Sequence, residues 1–194
     1  MPPTRHPDDN PPDAVYQDYD FDLSTPVFSL RELYAMGTDT RGLVSVTLKG
    51  RWAEPQFTND VDFFKPCVPD INIGSFGRYA EVCPGGGARF VAHLNYSTEH
   101  HAVITYIANL RRTFVYDNER AFAEKLCRAK ALGTDVAFGI AVYDLDFDDY
   151  EDKCASLNMY GAHSRLKALR MIVDYFKMNT TSFNETACRT YVTT

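Results

Sequence analysis

Apolar residues recur at every third or fourth position in three stretches of this chain, and in shorter stretches they alternate or run together. In "SLRELYAM", residues 29–36, Leu30, Leu33 and Tyr34 share a helical stripe, with Ser29 placed to cap the start and Gly37 to stop it. "GLVSVTLKGRW", 42–52, predicts a strand that ends in Gly-Arg-Trp. Residues 53–85 are broken by Pro55, Pro66, Pro69 and Gly74 and predict loops, with one short strand at "GRYAEVC". "GGGARFVAHLNY" predicts a hairpin that turns on Gly85 to Gly87 and alternates through Phe90, Ala92 and Leu94. "HAVITYI" and "RTFVYD" predict two more short strands, so this part reads as antiparallel.

The pattern then lengthens. Asp117 or Asn118 can cap a helix whose stripe is Phe122, Leu126, Ala129 and Leu132, ending at Gly133. Val136 to Val142 is continuously apolar, as in a strand buried on both faces. A last helix carries Leu166, Leu169, Ile172, Val173 and Phe176 on one stripe. Helix, buried strand, acidic loop, helix is the repeating unit of an α/β barrel. At the ends, residues 1–15 are rich in proline and predict a disordered leader, and the Thr- and Ser-rich 179–194 predicts a flexible tail.

Charge and composition narrow the partners. A net charge of −6 over 194 residues argues against nucleic acid, which needs a basic face. No run of 18 apolar residues predicts a membrane span. The first 30 residues lack a signal pattern, so secretion would require one already removed or lying upstream. Three sequons, at Asn95, Asn179 and Asn184, together with five cysteines, favour a secreted, glycosylated protein. Tyr16 and Tyr19 lie among Asp18, Asp20 and Asp22, either as a plain acidic segment or as sites of tyrosine sulfation.

The most conspicuous chemistry is "VAFGIAVYDLDFDDY", where the apolar run breaks into Asp144, Asp146, Asp148 and Asp149. As a calcium loop counted from Asp144 it fails at the sixth and twelfth positions, Asp149 and Ala155. No cysteine pair or cysteine–histidine spacing suits zinc, and His93, His100, His101 and His163 form no catalytic pattern. No metal or other cofactor is expected. Trp52, the lone tryptophan, is either a core residue or a stacking surface for sugar.

In this order the pieces resemble the C-terminal part of the family 18 glycoside hydrolases, the chitinases and chitinase-like lectins. The likeness is carried by "FVYDNERAFAEKLCRAKALGTDVAFGIAVYDLDFDDYEDKC", 114–154, which is similar to the family's Tyr-Asp, helix and last barrel strand ending "VWxLDxDDF…C". "GRYAEVC" is similar to the family's "YYEIC", "VITYIANLRRTFVYD" to the strands that close its insertion, and "LVSVTLKGRW" to its seventh strand. "YDFDLSTP" is a fainter match to the sixth.

The resemblance implies an α/β fold with an α+β insertion: a partial (β/α)8 barrel over 16–178, with the insertion subdomain at about 55–116. It also implies a disulfide between Cys83 and Cys154; Cys127 with Cys188 would be a second. The family's catalytic series Asp-x-x-Asp-x-Asp-x-Glu occurs nowhere in the chain, and Tyr143 stands at the family's sugar-stacking tryptophan. The implied function is therefore a chitinase-like protein without its own hydrolytic centre. It would bind chitin or N-acetylglucosamine oligosaccharides through Tyr143, Trp52, Arg51 and Asp146, or else a protein partner, and could self-associate through an exposed barrel edge. The competing expectation is a fragment of an active chitinase whose catalytic acid lies outside this segment.

Overall fold

Asn118 starts the helix that the antiparallel part hands on to. Its side chain accepts the Ala121 N–H at 2.9 Å and so caps α2, Glu119–Leu132. The computed structural model describes residues 15–16, 22–38, 42–59, 61–68, 76–83 and 94–194. The leader up to residue 14, Tyr19 and the hairpin turn at Gly85–Gly87 lie outside them, as does the side chain of Tyr16.

Preceding α2 in the chain are β1 (Val15–Tyr16), α1 (Ser24–Ala35), β2 (Gly42–Thr47), β3 (Gly50–Ala53), β4 (Pro66–Cys67) and β5 (Phe76–Gly77). Then come β6 (Asn95–Ser97), β7 (Ala102–Ile107) and β8 (Arg112–Tyr116); after α2 follow β9 (Phe138–Tyr143), α3 (Ser164–Met178) and α4 (Glu185–Thr193). Strands β5, β3, β8, β7 and β6 form one antiparallel sheet in that order, while β2 pairs in parallel with β9, Gly42 to Thr47 opposite Phe138 to Tyr143. A short antiparallel pair, β1 with β4, stands apart from both.

In the parallel pair, side-chain alternation divides two faces. Val44, Val46 and Leu48 with Phe138, Ile140 and Val142 pack onto the core formed by α1 to α4. Leu43, Ser45, Thr47, Gly139, Ala141 and Tyr143 occupy the alternate positions, and Leu43 is 62% exposed. This is a piece of α/β barrel: two parallel strands, with helices covering one face and the other open. The expectation that 136–142 is buried on both faces is corrected accordingly. Phe138 to Val142 are only half-buried, because no third strand adds to β9 and nothing covers its second face among the described residues.

The predicted single strand over 42–52 is two strands in different sheets. The chain turns at Leu48 and Lys49, where the Lys49 N–H bonds back to the Thr47 hydroxyl at 3.2 Å. Gly50 follows because the Phe114 ring occupies the space a Cβ would need. "GRYAEVC" forms no strand beyond Gly77; Tyr79–Glu81 is a 3-10 turn, with the Glu81 carboxylate accepting the Arg78 N–H at 2.7 Å.

Helix α1 begins at Ser24, not at Ser29, because the Asp22 carboxylate takes the Ser24 N–H at 2.9 Å. Its predicted stop is found: Gly37 has φ +72° and its N–H returns to the Tyr34 carbonyl. The predicted flexible tail is replaced by α4, which is capped by Asn184, packs on α2 and is bridged to it by Cys127–Cys188. Cys83–Cys154 is the other disulfide, and it ties the 3-10 turn to the loop after β9. Cys67 is buried and lies outside both bridges.

Candidate functional site

The C-terminal ends of β2 and β9 come out side by side, and one buried guanidinium holds them there. Arg165, at the start of α3, donates to Asp148 Oδ1 (3.0 Å) and to the carbonyls of Leu48 (3.1 Å), Phe147 (2.8 Å) and Asp117 (3.4 Å). Its charge also lies 4.8 Å from the centre of the Tyr79 ring, which stacks on Tyr116. Burial pushes both of those phenols upward.

Asp148 thus turns inward, and Asp149 is buried beside it by partners of its own. Asp149 accepts the Cys154 N–H at 2.7 Å, the Lys153 N–H at 3.0 Å and an Asn158 amide at 3.0 Å, which shapes the loop that carries the disulfide. Of the four aspartates only Asp144 and Asp146 face outward.

Beside these strand ends lies a cleft of about 360 Å³, lined by Ser45, Val46 and Thr47 of β2, by Lys49, Arg51 and Phe76, and by Leu23, Asp117, Phe122 and Lys125. At its polar wall Lys125, almost buried on α2, donates to both oxygens of Asp117 at 2.7 and 2.9 Å. Asp144, turning the chain at φ 59°, accepts the Thr47 hydroxyl at 2.6 Å and pairs with Lys49 at 2.9 Å. The Thr47 hydroxyl first, and Lys49 second, hold the Asp144 carboxyl below its ordinary range. Lys49 also lies 4.8 Å from the centre of the Phe76 ring and 5.3 Å from that of Phe147. Arg78 continues the series, 5.9 Å from Phe147 and from Tyr150. The arrangement offers flat aromatic faces beside fixed hydrogen-bonding groups, the pairing that suits a sugar ring. Among the described residues, no three metal-ligating side chains stand together.

The predicted site residues are dispersed. Arg51 lines the cleft. Tyr143 is 60% exposed at the end of β9, opposite the cleft residue Thr47 but not in the lining. Trp52 is half-buried, packs on Phe114 at 4.5 Å and does not line the cleft, which accords with a core role. Asp146 is exposed in the 3-10 turn after β9. Sequence reasoning missed Lys49, Phe76, Asp117, Asp144 and Lys125 as lining or rim. Lys125 did carry a signal: a lysine three residues from Phe122 and beside Leu126 sits within the buried stripe, where a charge needs a partner.

No family model matches the chain. A probable endochitinase of Caenorhabditis elegans is 26% identical over 91 residues, 47% of this chain and 13% of that protein. Among solved structures, catalytic domain 2 of the Ostrinia furnacalis Group II chitinase superposes with a TM-score of 0.57 at 13% identity, over 83% of this chain and 43% of that one. A human pseudo-chitinase with retained chitooligosaccharide binding gives 0.53 at 14% identity, over 75% and 38%. An immunomodulatory active chitinase from Trichuris suis gives 0.53 at 16% identity, over 66% and 34%.

The fold is therefore a piece of α/β barrel with an antiparallel insertion. More narrowly, it is the fold of part of the family 18 chitinases and chitinase-like proteins, as the sequence resemblance implied. The chain spans less than half the length of these solved relatives and about an eighth of the curated one.

Proposed function

We propose that the chain is a secreted chitinase-like protein without its own hydrolytic centre, and that it binds N-acetylglucosamine oligosaccharides at the ends of β2 and β9. The observation that carries this is the cleft flanked by two outward aromatic side chains, Phe76 (52% exposed) and Tyr143 (60% exposed), beside Arg51 and the fixed polar groups Thr47 and the Lys125–Asp117 pair. Phe76 and Tyr143 take the sugar faces, and the polar wall takes hydroxyl and amide groups. Two disulfides support a secretory route. A solved protein of the same fold is itself described as a pseudo-chitinase that retains chitooligosaccharide binding.

The test is titration of a chitooligosaccharide by calorimetry, alongside a chitobiose reporter assay. Tyr143→Ala and Phe76→Ala are each expected to weaken binding about three- to tenfold, the loss of one stacking contact. The reporter is expected to stay intact. Binding indifferent to both substitutions would defeat this site, and turnover by the chain alone would defeat the non-enzymatic reading. The competing reading, a portion of an active chitinase, is favoured by the chain's short coverage of its relatives. A polypeptide extending this chain and carrying the missing glutamate would establish it. Tyr143 and Leu43, exposed beside strand edges that no described residue pairs with, also suit a protein partner or a second copy; saturable protein binding in the absence of any sugar binding would select that role.

A further inference from the structure

We propose that Asn95 and Asn184 carry N-linked glycans in the folded protein and that Asn179 does not; this rests on the secretory reading above. In such a transfer the asparagine Nδ2 bonds to the anomeric carbon of a lipid-pyrophosphate oligosaccharide. The carbon–oxygen bond to the pyrophosphate breaks, the lipid pyrophosphate leaves with that electron pair, and the amide gives up one proton. The modified side chain keeps its Oδ1 as an acceptor and a single N–H. Attachment precedes folding, so each glycan is tolerated only where the native contacts of its asparagine survive it.

The three sequons differ on this point. Asn184 is exposed at the start of α4, and its native work is done by Oδ1, which accepts the Ala187 N–H at 2.8 Å. Its Nδ2 makes no hydrogen bond among the described residues, so a glycan there leaves the helix cap intact. Asn95 is exposed on β6, the outer strand of the five-stranded sheet. Among the described residues no further strand pairs with β6, and a glycan on Asn95 stands over that edge.

Asn179 is different. It closes α3, is half-buried, and uses Nδ2 itself, donating to the Tyr175 carbonyl at 3.0 Å. The Tyr175 ring is buried among Phe183 and Tyr191, with centroids 5.9 and 5.5 Å away. A sugar on that nitrogen leaves it one N–H and stands against the half-buried helix end, so it crowds the bond to the Tyr175 carbonyl. Neither Asn95 nor Asn184 lines the cleft beside β2, so both glycans leave it open.

The experiment is glycopeptide mapping of folded, disulfide-bonded protein secreted behind a heterologous leader, together with three variants. Asn95→Gln and Asn184→Asp are each expected to remove one glycan mass; the second keeps the capping oxygen, so the fold is preserved. Thr181→Ala, which destroys the Asn179 sequon, is expected to change nothing. Asn179 occupied in most of the folded protein, or Asn95 or Asn184 left bare, would overturn the proposal. Protein from its natural source lacking glycans and disulfides, while the leader-directed protein carries both glycans, would sink the secretory reading and uphold the choice of sites.

Discussion

Arg165 collects four acceptors from three separated stretches: the end of β2, the turn before α2, and the loop after β9. Its partner Asp148 is fully buried, so truncating the arginine strands a carboxylate in the interior. Arg165→Met is expected to cost about 3–5 kcal/mol in urea denaturation, the usual loss when one partner of a buried pair is removed. Arg165→Lys is expected to recover little of it, because one ammonium cannot reach acceptors spread around a planar fork.

Asp144 makes a prediction about acid. Its carboxyl is held below the ordinary value of 3.8 in the folded state, so its contribution is present above that value and is lost as pH falls through the lower, folded one. The difference in unfolding free energy between the native protein and Asp144→Asn is therefore expected to be flat above about pH 5 and to shrink below about pH 4. A gap unchanged down to pH 2 would refute it. Residues of this kind were only partly legible in the sequence. The four aspartates stood out as a group, but Asp148 turned inward toward an arginine seventeen positions further along, and Asp149 toward N–H groups of the loop that follows it, neither of which the local pattern marks.

At the scale of elements, α2 and α3 were legible because their stripes are long and α2 has a strong cap. Helix α4 was not. Nine residues rich in threonine have little helical tendency of their own, and the helix persists through packing on α2 and the covalent bridge. Removing that bridge by Cys127→Ala with Cys188→Ala is expected to destabilise by about 4 kcal/mol through loop-closure entropy alone. Hydrogen exchange is expected to show α4 opening first, and equal protection of α4 with and without the bridge would contradict this. The break between β2 and β3 was hidden for a different reason. It is set by the Phe114 ring arriving over Gly50 from a strand far along the sequence, a contact no local pattern records.

Across the whole molecule, the barrel character was readable from motif order, whereas the exposure of its strands was not. Apolar runs look alike whether or not a neighbour covers them. Here β9 also borders a second cleft of about 330 Å³ that includes Phe138, Ile140, Val173 and Phe176, so the open edge continues into an apolar groove between strand and helix. The two disulfides act at the same scale, because they interleave: Cys83, Cys127, Cys154 and Cys188 pair first with third and second with fourth. Any single backbone cut between Cys83 and Cys188 therefore leaves the two pieces covalently joined. A protease nick in the exposed turns around Glu99 or Ser156 is expected to add the mass of one water and release nothing until a reductant is supplied, as mass spectrometry before and after reduction would show. In surroundings rich in proteases, this chain would tolerate an isolated scission as a tethered two-piece molecule.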